Sequence, residues 1–147
     1  MLSSVDYEAL AELRYRIRVY VSFSERAARA HGLEPQQHQA LLALKGMARG
    51  VRPTLRALAE RLQLKHHSAV ELADRLEQAG LVVRTLNPSD RREVWLRLSP
   101  RGQRLLRSLS VAHQEELQVV GPDLLRALQT LVRPRKLSKH EDRLSTR

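Results

Sequence analysis

Residues 54–80 limit the possible folds more than any other part of the chain, because they hold two short amphipathic helices with only three residues between them. Thr54 is a good N-cap for the first helix, and Gly80 stands at the usual C′ position of the second. We expect the residues at helical spacing to face inward: Leu55, Leu58, Ala59 and Leu62 in the first helix, and Ala69, Leu72, Ala73 and Leu76 in the second. The pattern predicts a helix-turn-helix.

Two β-rich runs follow directly. Residues 81–86 form the first predicted strand and residues 94–98 the second, in which apolar and polar side chains alternate as in a half-buried strand. The seven polar residues between the runs, 87–93, are predicted to form the tip of a hairpin. This tip would project Arg91 and Arg92 away from the core. A helix-turn-helix followed by such a hairpin is a winged helix-turn-helix.

Helical segments extend this unit at both ends. Residues 5–30 are predicted to form one long helix with apolar residues on two faces, which should pack against its own domain and against something else. Pro35 suits the first turn of a second helix, and residues 46–53 are predicted to be a loop or a short edge strand. After Pro100 we expect a helix that breaks at Gly121-Pro122, followed by a last helix. The predicted fold is mainly α with a small β-hairpin wing, in the order α-α-α-α-β-β-α-α.

Charge and composition narrow the class of partner. The 147 residues carry a formal net charge of +10. Residues 49–107 have 13 basic and 6 acidic side chains, and residues 133–147 have 6 basic and 2 acidic side chains. This balance favours a polyanion, either nucleic acid or an anionic membrane surface. No apolar run approaches the roughly 20 residues of a membrane-spanning helix, and residues 1–11 lack the features of a signal peptide. We therefore expect a cytoplasmic protein, and the absence of cysteine excludes disulfides and thiolate metal sites.

Three stretches give the chain a resemblance to the MarR family of bacterial transcription regulators, from about residue 5 to residue 132. The run "LEPQQHQALLAL" resembles the second helix of the family. The run "LRALAERLQLKHHSAVELADRLEQAGLVVR" resembles its helix-turn-helix and first wing strand. The run "DRREVWLRLSPRG" resembles its wing, with an Asp-x-Arg element and the Leu-Ser/Thr-Pro-x-Gly start of the fifth helix.

The resemblance implies an organisation and a function. It implies a homodimer held by helical regions at residues 1–32 and 100–133 and a winged helix-turn-helix that binds DNA at residues 33–99. The polar, basic composition of residues 134–147 separately predicts a disordered tail. Such a dimer should bind a pseudo-palindromic operator in double-stranded DNA, with half-sites about one helical turn apart. Family members usually repress nearby genes until a small-molecule effector releases them.

Candidate DNA-binding residues follow from the same resemblance. Arg92 would enter the minor groove, with Asp90 orienting it and Arg91 beside it; the alternative is a solvated hairpin tip. The recognition helix, about residues 66–79, offers these candidates for the major groove: Lys65, His66, His67, Ser68, Val70 and Glu71. Phosphate contacts are expected from Thr54, Arg56, Lys65, Arg75 and Arg84.

The recognition helix departs from the family pattern in two places. Relatives often have Ser or Thr at the position of Val70 and Arg at the position of Glu71, so base preference cannot be transferred. Glu71 also lies four residues before Arg75, which makes an intrahelical ion pair the alternative to a base contact.

An effector pocket is also implied by the resemblance. Its candidate wall residues are Tyr15, Arg16, Val19, His38 and Leu42, and an Arg, His and Tyr set would suit an aromatic carboxylate. The alternative is that these residues serve only helix packing and ion pairs. The histidines do not converge in sequence, so we expect no metal site and no cofactor. No nucleophile-base pair or glycine-rich phosphate loop is evident, so we do not expect an enzyme.

Two other hypotheses from the sequence compete with a sequence-specific regulator. One is an architectural DNA- or RNA-binding protein without sequence preference, which the basic tail favours. The other is a protein-interaction module, which the high net charge disfavours. Competition with unrelated DNA would separate the first of these from a specific regulator.

Overall fold

A computed structural model describes residues 1–134, which form five helices and one two-stranded antiparallel sheet. The elements are α1 (Ser4–Ala30), α2 (Pro35–Lys45), α3 (Leu55–Leu62), α4 (His66–Gln78), β1 (Val82–Asn87), β2 (Asp90–Leu98) and α5 (Pro100–Val132). The mainly α fold with a hairpin wing is as predicted. The predicted tail, apart from Pro134, lies outside the described residues.

The helix-turn-helix forms where the spacing and caps predict it. The Thr54 hydroxyl accepts a hydrogen bond from the Ala57 N–H at 3.1 Å and so caps α3. Gln63 takes a left-handed conformation, with φ of 54°, and thereby ends α3 and turns the chain towards α4. The four inward residues predicted for α4, namely Ala69, Leu72, Ala73 and Leu76, are fully buried.

The core is aliphatic and lies between the helix-turn-helix, α2, the base of the hairpin and the first turns of α5. Its largest fully buried side chains are Leu41, Leu58, Leu72, Leu76, Leu81, Leu96, Leu109 and Val82. Truncating one of these leucines to alanine typically costs about 2–5 kcal/mol of unfolding free energy. The base of the wing and the recognition helix are therefore fixed to the same core.

The hairpin differs from the prediction in the length of its turn. The seven-residue tip was wrong: Asn87 pairs with Asp90, so only Pro88 and Ser89 lie between the strands. The Asn87 side-chain oxygen accepts from the Ser89 N–H at 2.9 Å and closes this turn. Arg91 and Arg92 consequently stand on β2 itself, next to the turn, on a backbone held by strand pairing.

The predicted break at Gly121-Pro122 and the separate last helix were also wrong, since α5 continues through both residues to Val132. Pro122 lacks the N–H that would bond to the carbonyl four residues earlier, but both Pro122 and Gln118 are exposed, so water can satisfy that carbonyl. Val120 and Ala127, on either side, are buried. This packing holds the helix together across the proline.

A close contact joins the recognition helix to α5. The Ser99 hydroxyl donates to the Gly80 carbonyl at 2.6 Å and accepts from the Gly102 N–H at 3.0 Å. A Cβ atom at Gly102 would lie 2.2 Å from the Leu81 carbonyl oxygen, which no real side chain tolerates. Glycine is therefore required here for α5 to approach the end of the helix-turn-helix.

Candidate nucleic-acid interface

The N-terminal turn of α4 presents polar side chains to solvent. Lys65 is the N-cap residue and makes no side-chain capping bond. His66, His67 and Glu71 are exposed, whereas Ser68 and Val70 are half-buried. The free N–H groups of the first turn carry the positive end of the helix dipole. This end of α4 therefore offers donors and partial positive charge to an anion.

The wing presents its two arginines differently. Arg92 has a side chain that is 93% exposed, and its backbone N–H and its Nε both point to the Asp90 carboxylate, at 3.0 and 3.3 Å. Asp90 and Arg92 thus contact each other in this structure, while the role of Asp90 in orienting Arg92 towards DNA stays a prediction. Arg91 is exposed as well. Two exposed arginines accordingly stand at the start of β2, next to a short, closed turn.

A network around Glu93 was missed by the sequence reasoning. Its carboxylate accepts from Arg52 Nη1 at 2.8 Å, from Asn87 Nδ2 at 3.2 Å and from Trp95 Nε1 at 3.0 Å. These donors hold the pKa of Glu93 below its usual value, with the Trp95 hydrogen bond as the largest cause. Arg52 lies in the loop between α2 and α3. The network therefore connects that loop to the wing.

The same loop is tied to β2 through the backbone. The Leu96 N–H donates to the Pro53 carbonyl at 2.8 Å, and Thr54 forms an isolated antiparallel bridge with Trp95. The segment 46–53, predicted as a loop or a short edge strand, is a loop whose backbone meets β2 at its end.

Two arginines predicted to contact phosphate already form ion pairs with carboxylates of the same chain. The Arg84 guanidinium pairs with the carboxylates of Asp74 and Glu77 on α4. Arg75 reaches α2, where its Nε lies 3.4 Å from Glu34 and its Nη2 donates to Gln36. Arg75 therefore pairs across to the start of α2, and the intrahelical pair with Glu71, the alternative to a base contact, is not formed. By contrast, Arg56 and Lys65 are exposed and form no ion pair within residues 1–134.

The five predicted effector-pocket residues fall into separate environments. Arg16 pairs with Glu12 at 2.7 Å and Asp123 at 3.3 Å, and its guanidinium lies 5.4 Å from the centroid of the exposed Tyr15 ring. Val19 is half-buried and Leu42 is exposed on α2. His38, in contrast, is only 2% exposed. The structure thus shows an ion-pair group on α1 and a buried histidine on α2.

His38 belongs to a buried cluster where α1, α2 and α5 meet. Its ring centroid lies 4.8 Å from that of His113 on α5. His113 donates from Nδ1 to the Leu109 carbonyl at 2.6 Å, and its Nε2 meets the Ser24 hydroxyl of α1 at 2.8 Å. Burial, followed by the nearby His113 and His31, lowers the pKa of His38 to about 4. His38 is therefore neutral at physiological pH and is part of a packed junction.

Large apolar side chains remain exposed mainly on the two long helices. On α1 they include Val5, Leu10, Ile17 and Val21. On α5 they include Val111, Leu117, Val119, Leu125, Leu128 and Val132. We call these ten residues the apolar helix face. Exposed apolar side chains in such number often mark an interface.

Within residues 1–134, no three His, Cys, Asp or Glu side chains come together as metal ligands would. None of the described helices is both long and apolar enough to span a bilayer.

Comparison with known proteins shows which family this chain resembles. A model of the MarR family matches residues 31–93. CouR from Rhodococcus jostii RHA1, solved with p-coumaroyl-CoA bound, is 26% identical with a TM-score of 0.61, over 86% of this chain and 92% of its own. AbsC, a MarR family transcriptional regulator from Streptomyces coelicolor, is 22% identical with a TM-score of 0.71, over 91% of this chain and 93% of its own.

A mutant of S. aureus MepR, solved with a bound oligodeoxyribonucleotide, is 20% identical with a TM-score of 0.63, over 79% of this chain and 82% of its own. No curated protein matches the chain in sequence. The resemblance to the MarR family is therefore confirmed, by the family model over the winged helix-turn-helix and by the shared fold over the helices on either side. Among these structural relatives, AbsC is named as a transcriptional regulator.

Proposed function

We propose that the chain is a dimeric, sequence-specific DNA-binding regulator, which represses nearby genes until a small molecule releases it. One observation carries the proposal. A single winged helix-turn-helix presents an uncapped α4 N-terminus and, on the adjoining hairpin, two exposed arginines. An α-helix fits the major groove, and an arginine fits a narrow, strongly negative minor groove.

The expected contacts divide into those that position the protein and those that read bases. Arg56, Lys65 and the Thr54 hydroxyl would bind phosphates, and so fix the register on the duplex. Ser68, Val70 and Glu71 would face base edges, where Val70 can meet a thymine methyl group and Glu71 can accept from cytosine N4. Arg75 and Arg84 would support these contacts from within, because their guanidinium groups already pair with carboxylates.

The apolar helix face supports a dimer of two copies of this chain. Its ten residues lie on α1 and α5, outside the winged helix-turn-helix. Burying a Val or Leu side chain contributes about 1.5–3 kcal/mol, so pairing this face with its copy stabilises both. A two-fold dimer would present two recognition helices to a pseudo-palindromic operator.

Release by an effector would act on the angle between the dimerisation helices and the DNA-binding region. The buried cluster of His38, His113 and Ser24 connects α2 to α1 and α5. A ligand that binds one arrangement of this junction better than another would shift the spacing of the recognition helices. CouR was solved with p-coumaroyl-CoA, which supports an aromatic acid or its thioester as the class to test first. Arg16 would have to leave Asp123 to bind a carboxylate.

The test is selection of a binding site from random duplexes, followed by titration against the selected site with excess unrelated DNA. A specific regulator should prefer its site by on the order of a thousandfold or more. Aromatic carboxylates and their thioesters would then be screened for release of the protein. Affinity that disappears with competitor would instead support an architectural nucleic-acid-binding role, and absence of affinity at low salt would support a protein-interaction module.

A further inference from the structure

We infer that Glu93 is the positioning residue of the wing: it fixes the hairpin against the α2–α3 loop and so sets where Arg91 and Arg92 meet the DNA. This inference rests on the proposed DNA-binding function. It concerns a residue that would not itself touch the nucleic acid, since a carboxylate is repelled by phosphate.

The first support is that three donors from three parts of the chain converge on one carboxylate. Oε2 accepts from Arg52 in the α2–α3 loop at 2.8 Å and from Asn87 at the start of the turn at 3.2 Å. Oε1 accepts from the Trp95 indole on β2 at 3.0 Å. Hydrogen bonds to a charged acceptor are stronger than neutral ones. Glu93 is thereby bound to the body of the protein and to the turn at once.

The second support is that little else fixes the outer half of the hairpin. Leu96 and Val82 bury the base of the sheet, whereas Leu86 near the turn is 55% exposed. A two-stranded hairpin without a hydrophobic face is only marginally stable in water. Backbone contacts with the loop stop at Leu96 and Trp95. The Glu93–Arg52 pair therefore attaches the hairpin to the loop two residues closer to the turn than Trp95 does. Glu93 is the residue directly after Arg92.

The third support is the link from Glu93 to the turn. Asn87 is only 6% exposed; its amide donates to Glu93 while its carbonyl oxygen accepts from Ser89 N–H. Losing the Glu93 acceptor would leave this buried amide donor unsatisfied, which is costly. Loosening Glu93 would thus loosen the turn next to which both arginines stand.

The test is Glu93→Gln, because charge and positioning predict effects of opposite sign. Removing a negative charge close to DNA would by itself tighten binding. Losing the wing attachment should weaken it, by about fivefold, the factor that corresponds to one hydrogen bond of ordinary net strength. The slope of log affinity against log salt should fall by up to about one unit as the wing contact is lost. The matched control is Glu60→Gln, an exposed residue of α3, which should bind equally or more tightly.

A neutral variant and a spectroscopic signal complete the experiment. Trp95→Phe removes one donor to Glu93 without changing the charge, and should weaken binding in the same direction. Trp95 is the single tryptophan of the chain, so its emission reports the network in the free protein. Glu93→Gln should change that emission, whereas Glu60→Gln should not.

The outcomes separate the inference from the function on which it rests. Wild-type binding with equal or tighter binding by Glu93→Gln would overturn the positioning role alone. Unchanged Trp95 emission in Glu93→Gln would also overturn it, because the network would then be absent. If the wild-type protein bound no duplex at all, the DNA-binding function would fail and the inference with it, even with the emission change present.

Discussion

Folding of this protein should depend on pH through His38, a buried histidine at the junction of α1, α2 and α5. Burial, with His113 and His31 nearby, lowers its pKa from 6.5 to about 4. Because the folded-state value lies below the unfolded one, the unfolded chain binds more protons between them, and stability rises with pH there. The contribution is complete above about pH 6.5 and is lost as the pH falls towards 4.

The magnitude follows from these two values. A group with an unfolded pKa of 6.5 and a folded pKa of about 4 removes about 2 kcal/mol of unfolding free energy between pH 7 and pH 5. Urea unfolding followed by circular dichroism, at one protein concentration and at about pH 7, 6 and 5, measures this loss. The variant His38→Gln should lose about 2 kcal/mol less than the wild-type protein over that range.

The control is His66→Gln, which removes an exposed histidine from the start of α4 and should keep the wild-type pH dependence. If wild type and His38→Gln lost stability in parallel, the reasoning would be refuted, and His38 would have to be solvated or reoriented in solution. A His38→Gln protein that lost more than the wild type at low pH would give the wrong sign altogether.

Three further predictions test other parts of the structure. Arg92→Ala should weaken DNA binding and lower the salt slope by about one unit in a fluorescence-anisotropy titration; an unchanged slope would remove Arg92 from the interface. Leu125→Glu, on the apolar helix face, should raise the dimer dissociation constant by tenfold or more in sedimentation equilibrium, from the roughly 1.5–3 kcal/mol of lost burial. Leu42→Glu, at a similarly exposed leucine of α2, should leave the dimer dissociation constant unchanged, and equal effects of the two variants would contradict the assigned face. Gly102→Ala should lower the unfolding free energy by about 1–3 kcal/mol because of its contact with a backbone carbonyl, whereas Gly121→Ala, with open space around it, should raise it by up to about 1 kcal/mol. Similar values for the two glycines in urea unfolding would count against the packing at the start of α5.

The helix-turn-helix could be predicted because its signals are local. Inward residues of α4 recur at helical spacing, and Thr54 caps α3 through a residue only three positions away. The same reasoning found the polar N-terminal turn of α4, whereas the contact of Asp90 with Arg92 was implied by the family resemblance. Each of these features depends on neighbours within about one helical turn or one hairpin turn.

The errors came from contacts between residues far apart in the chain. The polar run from Asp90 to Glu93 has the composition of a loop, yet strand pairing and the link to Arg52, 41 residues away, make it a strand. Gly121-Pro122 has the local signature of a break, but packing against α1 keeps α5 continuous.

The same limit applies to the candidate site. The partners of Arg75 lie on α2, about forty residues earlier, so no pattern within the recognition helix could show that its guanidinium is already paired. His38 meets His113 only because α2 and α5 cross. The type of fold could therefore be predicted from the sequence. Which arginines form ion pairs with other elements of the fold could not.

Hydroxyl-radical footprinting of the protein on a site selected from random DNA tests the central claim most directly. Two recognition helices and two wings on one dimer predict two protected half-sites about one helical turn apart, with protection of the flanking minor grooves that disappears in Arg92→Ala. Protection without a fixed register, equal on selected and unrelated duplexes, would contradict sequence-specific recognition by this winged helix-turn-helix.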